Sequence, residues 1–279
     1  MKIIRSAFKG WFRGIAAAAA AAAWIAAPVQ ASAASEPAAA AAVYAAGGAY
    51  AADSFEEAAS IVYGVMKQAY GTSVTVNYTG DTSDLAKQLD KLFKQVGSKD
   101  DYMRFVLKKM SWSWTSTRNQ ASITFKMEYW ETAEQSEYVR KTAKEAVDSL
   151  VKPGMTDRQL VKAIHDWVIG RFAYDYSLSS HSAYDGLAKG GSTVCQGYAL
   201  MTQRMLEAAG FDSRIVYGDS KGSKHVWNLV KLGDSWLHLD TTLDEGGAAK
   251  PGTAYLLVSD DAISKDHSWV RSEYPAARG

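Results

Sequence analysis

From Asp53 onward the apolar positions change period several times, and each change predicts an element. Phe55, Ala58, Ala59, Val62 and Met66 recur at helical spacing, while the SVTVNYTG that follows alternates like a strand. Residues 84–96 return to the helical period, with Leu85, Leu89, Leu92 and Phe93 on one face. MSWSWTS and ASITFKMEYW then alternate on either side of TRNQ and predict a hairpin, and residues 132–151 read as a long amphipathic helix. The expectation is a small α+β domain of βαββα type over residues 53–152. Trp112 and Trp114 share one face of the hairpin, where they either pack the sheet or form a binding platform.

Pro153 and Gly154 punctuate the chain, and a second domain is expected over 153–279. Thr156 with Gln159 makes a capping box, each side chain satisfying an orphan backbone donor of the other residue. The helix it opens buries Leu160, Ile164, Trp167 and Val168, and a loop rich in Ser, Tyr and Asp follows. QGYALMTQRMLEAAG has a helical period, with Gly210 placed to terminate it. KHVWNLVKL and SWLHLD alternate around Gly233-Asp234, a two-residue hairpin turn.

The N-terminus has a different character. MKIIRSAFKGWFRG is basic, IAAAAAAAAWIAAPVQ is uncharged and apolar, and ASA at 31–33 offers an A-x-A cleavage pattern. This is the layout of a secretory signal peptide over residues 1–33, cut after Ala33, with an uncleaved membrane anchor as the rival reading. Residues 34–52, Ala- and Gly-rich, read as a flexible linker. The expected location is therefore secreted or cell envelope, with membrane contact only during export. Without its first 33 residues the chain carries 27 basic against 30 acidic residues and lacks a Lys/Arg cluster, which speaks against a nucleic-acid partner.

Export changes the meaning of Cys195, the one cysteine in 279 residues. A secreted chain with an unpaired cysteine holds either a reactive thiol or an intermolecular link. Cys195 falls at the first turn of its helix, just after Gly190-Gly191. Unsatisfied N–H groups there favour thiolate over thiol and could also stabilise an oxyanion on an attacked carbonyl. A thiolate needs a base. If Gly233-Asp234 is a two-residue loop, residue 232 pairs with 235, so Asp240 lies opposite Trp227 and shares a face with His225, a diagonal neighbour. His238 lies on that face too, but deeper along the hairpin, opposite Leu229. His165 reads as a structural histidine in mid-helix, and His181 and His267 as loop residues. Asn228 falls on the opposite face. Zinc sites announce themselves by close pairs such as C-x-x-C or H-x-x-x-H, and none occurs, so no metal or other cofactor is called for.

SAYDGLAKGGSTVCQGYALM followed by KHVWNLVKLGDSWLHLDTTLDE resembles the transglutaminase-like superfamily, and the resemblance runs over about residues 155–270, including YLLVSDD and the Asp-His pair at 266–267. It implies a papain-like α+β core, in which a helix carrying the cysteine packs on an antiparallel sheet. It also implies Cys195 as nucleophile, His225 as base and Asp240 as orienting carboxylate, with Tyr184 and Gln196 as accessory or oxyanion candidates. Val226, Leu237 and Leu243 depart from the usual alanine, tyrosine and tryptophan, which leaves the pocket walls, and so the substrate, undefined. The implied activity is an acyl-enzyme reaction on amide bonds of a peptide or protein, cell-wall-associated material included, resolved by water or an amine. The alternative is a non-catalytic cell-envelope binding module that keeps the fold.

Overall fold

The computed structural model of the chain describes residues 4–9, 44–188, 191–245 and 252–278. The first half holds β1 (Ile4–Lys9), β2 (Ala49–Ala52), α1 (Phe55–Ala69), β3 (Ser73–Thr79), α2 (Leu85–Lys99), α3 (Asp101–Val106), β4 (Leu107–Ser116), β5 (Gln120–Tyr129) and α4 (Ala133–Leu150). The second half holds α5 (Asp157–Arg171), β6 (Ala173–Tyr174), α6 (Ala183–Leu187), β7 (Ser192–Thr193), α7 (Cys195–Ala208), β8 (Ser213–Ser220), β9 (Ser223–Leu232), β10 (Ser235–Leu239), α8 (Thr241–Glu245), β11 (Leu256–Val258), α9 (Asp260–Ile263) and β12 (His267–Trp269). Among the described residues, no helix is long and apolar enough to cross a membrane.

The first sheet has the order β1-β4-β5-β3-β2, with β2 parallel to β3 and the other neighbours antiparallel. Its hairpin turns at the predicted place, with Ser116 opposite Ala121. Trp112 and Trp114 are 3% and 8% exposed and join a core with Val76, Ile123 and Phe125, so they pack the sheet and offer no platform. Two strands depart from the sequence expectation. Ala49–Ala52 falls in the stretch read as linker, yet it pairs along β3, and the ladder is continued by Gly47 N–H to Ser73 O at 2.7 Å and Thr75 N–H to Gly48 O at 2.9 Å. Alanine is a weak strand former, so the alternation of β3 and not the local sequence sets this pairing. Ile4–Lys9, within the expected signal peptide, forms β1 on the outer edge of β4. Residues 1–3 and 10–43, which hold the rest of that segment and part of the expected linker, lie outside the described residues, as does Gly190.

The second sheet has the order β11-β10-β9-β8-β12 and is antiparallel throughout. α7 packs against β9 and β8, which gives the expected α+β arrangement of a cysteine-bearing helix on an antiparallel sheet. Ser235 pairs with Leu232, as a two-residue turn requires, and Gly233 takes φ +59° at the position where a II′ turn needs glycine. α5 and α4 both open on capping boxes, at Thr156/Gln159 and Thr132/Gln135.

The two halves share one apolar core, which runs from Phe125 and Val76 through Val139 and Ala143 to Ala199 and Leu206. A buried charge fastens them as well. Asp101 on α3 accepts from Arg214 Nε at 2.6 Å, from Arg214 Nη2 at 3.3 Å and from the Ile215 N–H at 2.9 Å, so this carboxylate is both paired and hydrogen-bonded. Burial of a lone carboxylate would cost several kcal/mol, and this arrangement removes that cost.

Candidate active site

The loop before α7 is built around Asp175. Its carboxylate accepts from the Ser177, Ser179 and Ser180 N–H groups, each at 2.9 Å, and from the Ser177 hydroxyl at 2.6 Å. These bonds hold its pKa well below the usual carboxylate range, the Ser177 hydroxyl contributing most. The folded loop then receives β7: Thr193 Oγ1 donates to the Ser180 and Ser182 carbonyls, and Val194 N–H donates to Ser180 O. Helix α7 starts one residue later. Gly197 is required here, because a Cβ would lie 2.1 Å from Thr193 Oγ1 and 2.5 Å from Ser182 O. No side chain caps α7 and no acid occupies its first turn; Gly197 and Tyr198 N–H donate to Val194 O, which leaves the Cys195 and Gln196 N–H groups for an anion.

Cys195, 5% exposed, lies close enough to the His225 imidazole to help raise its pKa. The Nε2 of that ring lies 2.7 Å from Asp240 Oδ2. The other carboxylate oxygen accepts the Thr242 and Leu243 N–H groups at 3.0 and 3.2 Å, fixing Asp240 at the start of α8. Asp240 is fully buried. Burial alone would raise its pKa, but the charge and hydrogen bond of His225, with the hydrogen bond of His267, hold it well below the usual range. Burial likewise works against charge on His225, and Asp240 and Cys195 overcome it, lifting the imidazole to about 10.

The structure therefore brings together the three residues named from sequence. It also separates the competitors. The Trp227 indole N–H donates to His238 Nδ1 at 2.9 Å, so Nε2 carries the ring proton and donates to Asp260 Oδ1 at 2.8 Å, and both nitrogens are committed. His165 lies between Asp166 and Asp244, and Asn228 holds β9 to α7 through the Ala199 carbonyl at 3.0 Å. Gln196 lines the cleft, but its amide donates to the Phe105 carbonyl at 2.6 Å and so ties α7 to α3. Tyr184 stands on α6 against Tyr138, with ring centroids 5.7 Å apart, and is not among the residues lining the cleft at Cys195.

Two residues of the site were not legible as such. His267 does not sit in a loop but on β12, with Nε2 3.0 Å from Asp240 Oδ2 and Nδ1 2.7 Å from Asp266 Oδ1. Its strand reaches the sheet because position 218 is glycine, where a Cβ would come within 2.1 Å of the Ser268 carbonyl. The adjacent Asp-His pair was the available signal. Tyr174, one strand from the cysteine on β6, lines the cleft, and burial together with Cys195 pushes its phenol up to about 12, so it stays a neutral donor.

His225, Asp240 and His267 also offer three close ligand atoms, all within 4.8 Å of one another. The 2.7 Å between His225 Nε2 and Asp240 Oδ2 is a hydrogen-bond distance, shorter than the spacing of roughly 3.3 Å between two donors on one tetrahedral zinc ion with bonds near 2.0–2.1 Å. The cleft itself encloses about 780 Å³ and runs from Cys195, Gln196 and Tyr174 to Leu107 and Lys109 at the start of β4.

Comparison with known proteins locates this constellation in sequence space. Residues 144–241 match the model of the transglutaminase-like superfamily. The human kyphoscoliosis peptidase is 29% identical over 126 residues, covering 38% of this chain and 19% of the peptidase, and the mouse protein is 27% identical over 125 residues, covering 39% and 19%. The chain thus spans about a fifth of the length of the curated relatives it matches. Among solved structures, calcium-bound LapG of Legionella pneumophila aligns over 52% of this chain and 91% of its own, at 15% identity and a TM-score of 0.35. The periplasmic domain of TgpA from Pseudomonas aeruginosa, bound to ethylmercury, aligns over 45% and 56%, at 18% identity and a TM-score of 0.33. The stretch that holds Cys195, His225 and Asp240 lies within the residues that match this model.

Proposed function

We propose that the protein is an exported cysteine enzyme that acts on peptide or protein amide bonds through an acyl-enzyme on Cys195. The observation that carries this reading is the His225–Asp240 pair, with the carboxylate 2.7 Å from the imidazole and fully buried, beside Cys195 at the start of α7. A thiol, a base and an orienting acid in sequence are what nucleophilic catalysis requires.

In this reading the proton of Cys195 already rests on His225, and the free Sγ attacks the amide carbonyl carbon. The negative oxygen that forms is met by the N–H groups at the uncapped start of α7, with the Tyr174 hydroxyl as a further donor in the same cleft. Because its pKa is lifted to about 10, His225 keeps its proton at neutral pH and delivers it to the departing amine as the C–N bond breaks. Water or a second amine, deprotonated by the now neutral imidazole, then attacks the thioester and frees Cys195. An extracytoplasmic site of action is supported by the basic, apolar and A-x-A segments of residues 1–33.

The test uses the one cysteine. Iodoacetamide labelling of Cys195, followed by intact mass across pH 5–9, should be fast already at pH 6 and should fall at least about 100-fold in a His225→Ala variant. Labelling at the speed of a free thiol, unchanged by His225→Ala, would overturn the reading.

A further inference from the structure

The edge of β4 is the place where this chain already binds an extended segment. Ile4–Lys9 runs antiparallel along it, Ile4 opposite Trp114 and Lys9 opposite Lys109. The strand direction matters. The C-terminal end of the bound segment points at Lys109, and Lys109, Lys108 and Leu107 line the same cleft as Cys195. A segment lying on this edge and continuing past Lys109 enters the cleft. The rim there is cationic: Arg104, Lys108, Lys109 and Lys224 line it, with Glu128 3.4 Å from Lys109 and Asp219 3.0 Å from Lys224.

We propose, resting on the reading of Cys195 as an acyl-forming nucleophile, that the β4 edge binds the acyl-donor peptide as an added strand. Ile4–Lys9 holds that place until it leaves. The occupant is an extended peptide with an acidic residue where it meets Lys109. Backbone N–H and C=O groups of β4 supply sequence-tolerant affinity, and the cation rim supplies the preference. A segment with glutamate where it meets Lys109 brings a charge opposite to that of the rim. The half of the substrate on β4 lies N-terminal to the bond that breaks, so it stays attached as the acyl group while the amine leaves.

The experiment uses the full chain with Cys195→Ala, so that binding is read without chemistry, and compares it with the same chain carrying Ser6→Pro and Ala7→Pro. Two neighbouring prolines remove a ladder donor on whichever side faces β4. The probes are fluorescein-labelled IRSAFK and IRSAFE, read by anisotropy. The proline chain should bind either probe at least ten-fold tighter than the chain with β1 intact, IRSAFE several-fold tighter than IRSAFK, and Lys109→Glu should reverse that order. N-methylation at every second peptide nitrogen should abolish binding in one phase and leave it unchanged in the other. Hydrogen exchange at amides 109–114 should speed up in the proline chain and slow again with probe, which also shows that this chain is folded. Equal binding with and without β1, or indifference to N-methylation in both phases, overturns the proposal. Peptide binding in a protein whose Cys195 proves unreactive would retain the acceptor edge and remove the enzyme reading, so the two fail separately.

Discussion

The sheet of β1–β5 and the sheet of β8–β12 have five strands each, yet they bury different things. Around the first, the core is Val74, Val76, Leu89, Ile123, Phe125 and their neighbours, and the buried polar residues between 53 and 152 are Asp101, Glu131 and Ser136. Around the second, four histidines and several acids and amides are buried with the aliphatic residues, among them His165, His225, His238, His267, Asp240 and Asp244. Buried polar groups are costly unless each finds a partner, so this second region spends hydrogen bonds to hold them. The difference separates a support from a site. One half derives its order from packing and tolerates little change of volume; the other derives its order from donor–acceptor pairs and tolerates little change of charge.

The largest expected effect falls in the second half and is chemical. His225→Ala should slow alkylation of Cys195 by about 10²–10⁴-fold, and it should lower Tm as well, because Asp240 is left buried without the partner 2.7 Å away. An unchanged alkylation rate, or a Tm that does not move, would break the contrast. Next comes the first half. Phe125→Ala should cost about 3–5 kcal/mol in urea unfolding and leave the alkylation rate of the remaining folded protein unchanged.

Asp240→Asn sharpens the comparison through pH. The depressed pKa of Asp240 contributes stability present above its unfolded value near 3.9 and lost as pH falls below it. The raised pKa of His225 contributes stability present in full below about 6.5 and lost as pH rises toward about 10. The Tm difference between wild type and variant should therefore be widest between about pH 4.5 and 6.5 and should narrow on both sides. A flat difference across pH 4–10 would mean that the pair is not ionised in the fold. The smallest effect belongs to the exposed helical pairs, which neither half depends on. Lys144→Ala, which removes a bridge to Asp148 on α4, should change stability by at most about 0.5 kcal/mol by the same unfolding assay.

What could be read from the sequence follows the same division. The hairpin of β9 and β10 was legible because Gly233-Asp234 fixes a two-residue turn, and once 232 faces 235 the approach of Asp240 to His225 is geometry. α1, α2, α4 and α7 were legible from their 3.6-residue period. β2 was not, since AYAA has no strand signal of its own and takes its conformation from β3. α3 was missed because six residues between a helix and a strand carry too short a pattern to show a period. His267 was misread as a loop residue because its place depends on Gly218, about fifty positions earlier, admitting a strand that no local pattern announces. Gln196 was named for an oxyanion, and the Phe105 carbonyl claims its amide, a long-range contact that spacing does not encode.

The order of the site along the chain has a consequence for synthesis. Cys195 is made first, then His225, then Asp240, and His267 last, so a chain emerging from a ribosome or a narrow pore exposes its thiol before any partner exists. For that interval the sulfur is only a cysteine on an unfinished helix, because His225, Asp240 and the strand whose His267 bonds Asp240 have yet to arrive. On the proposed acyl-enzyme reading, a chain released before Asp240 would be mute toward the amide bonds around it.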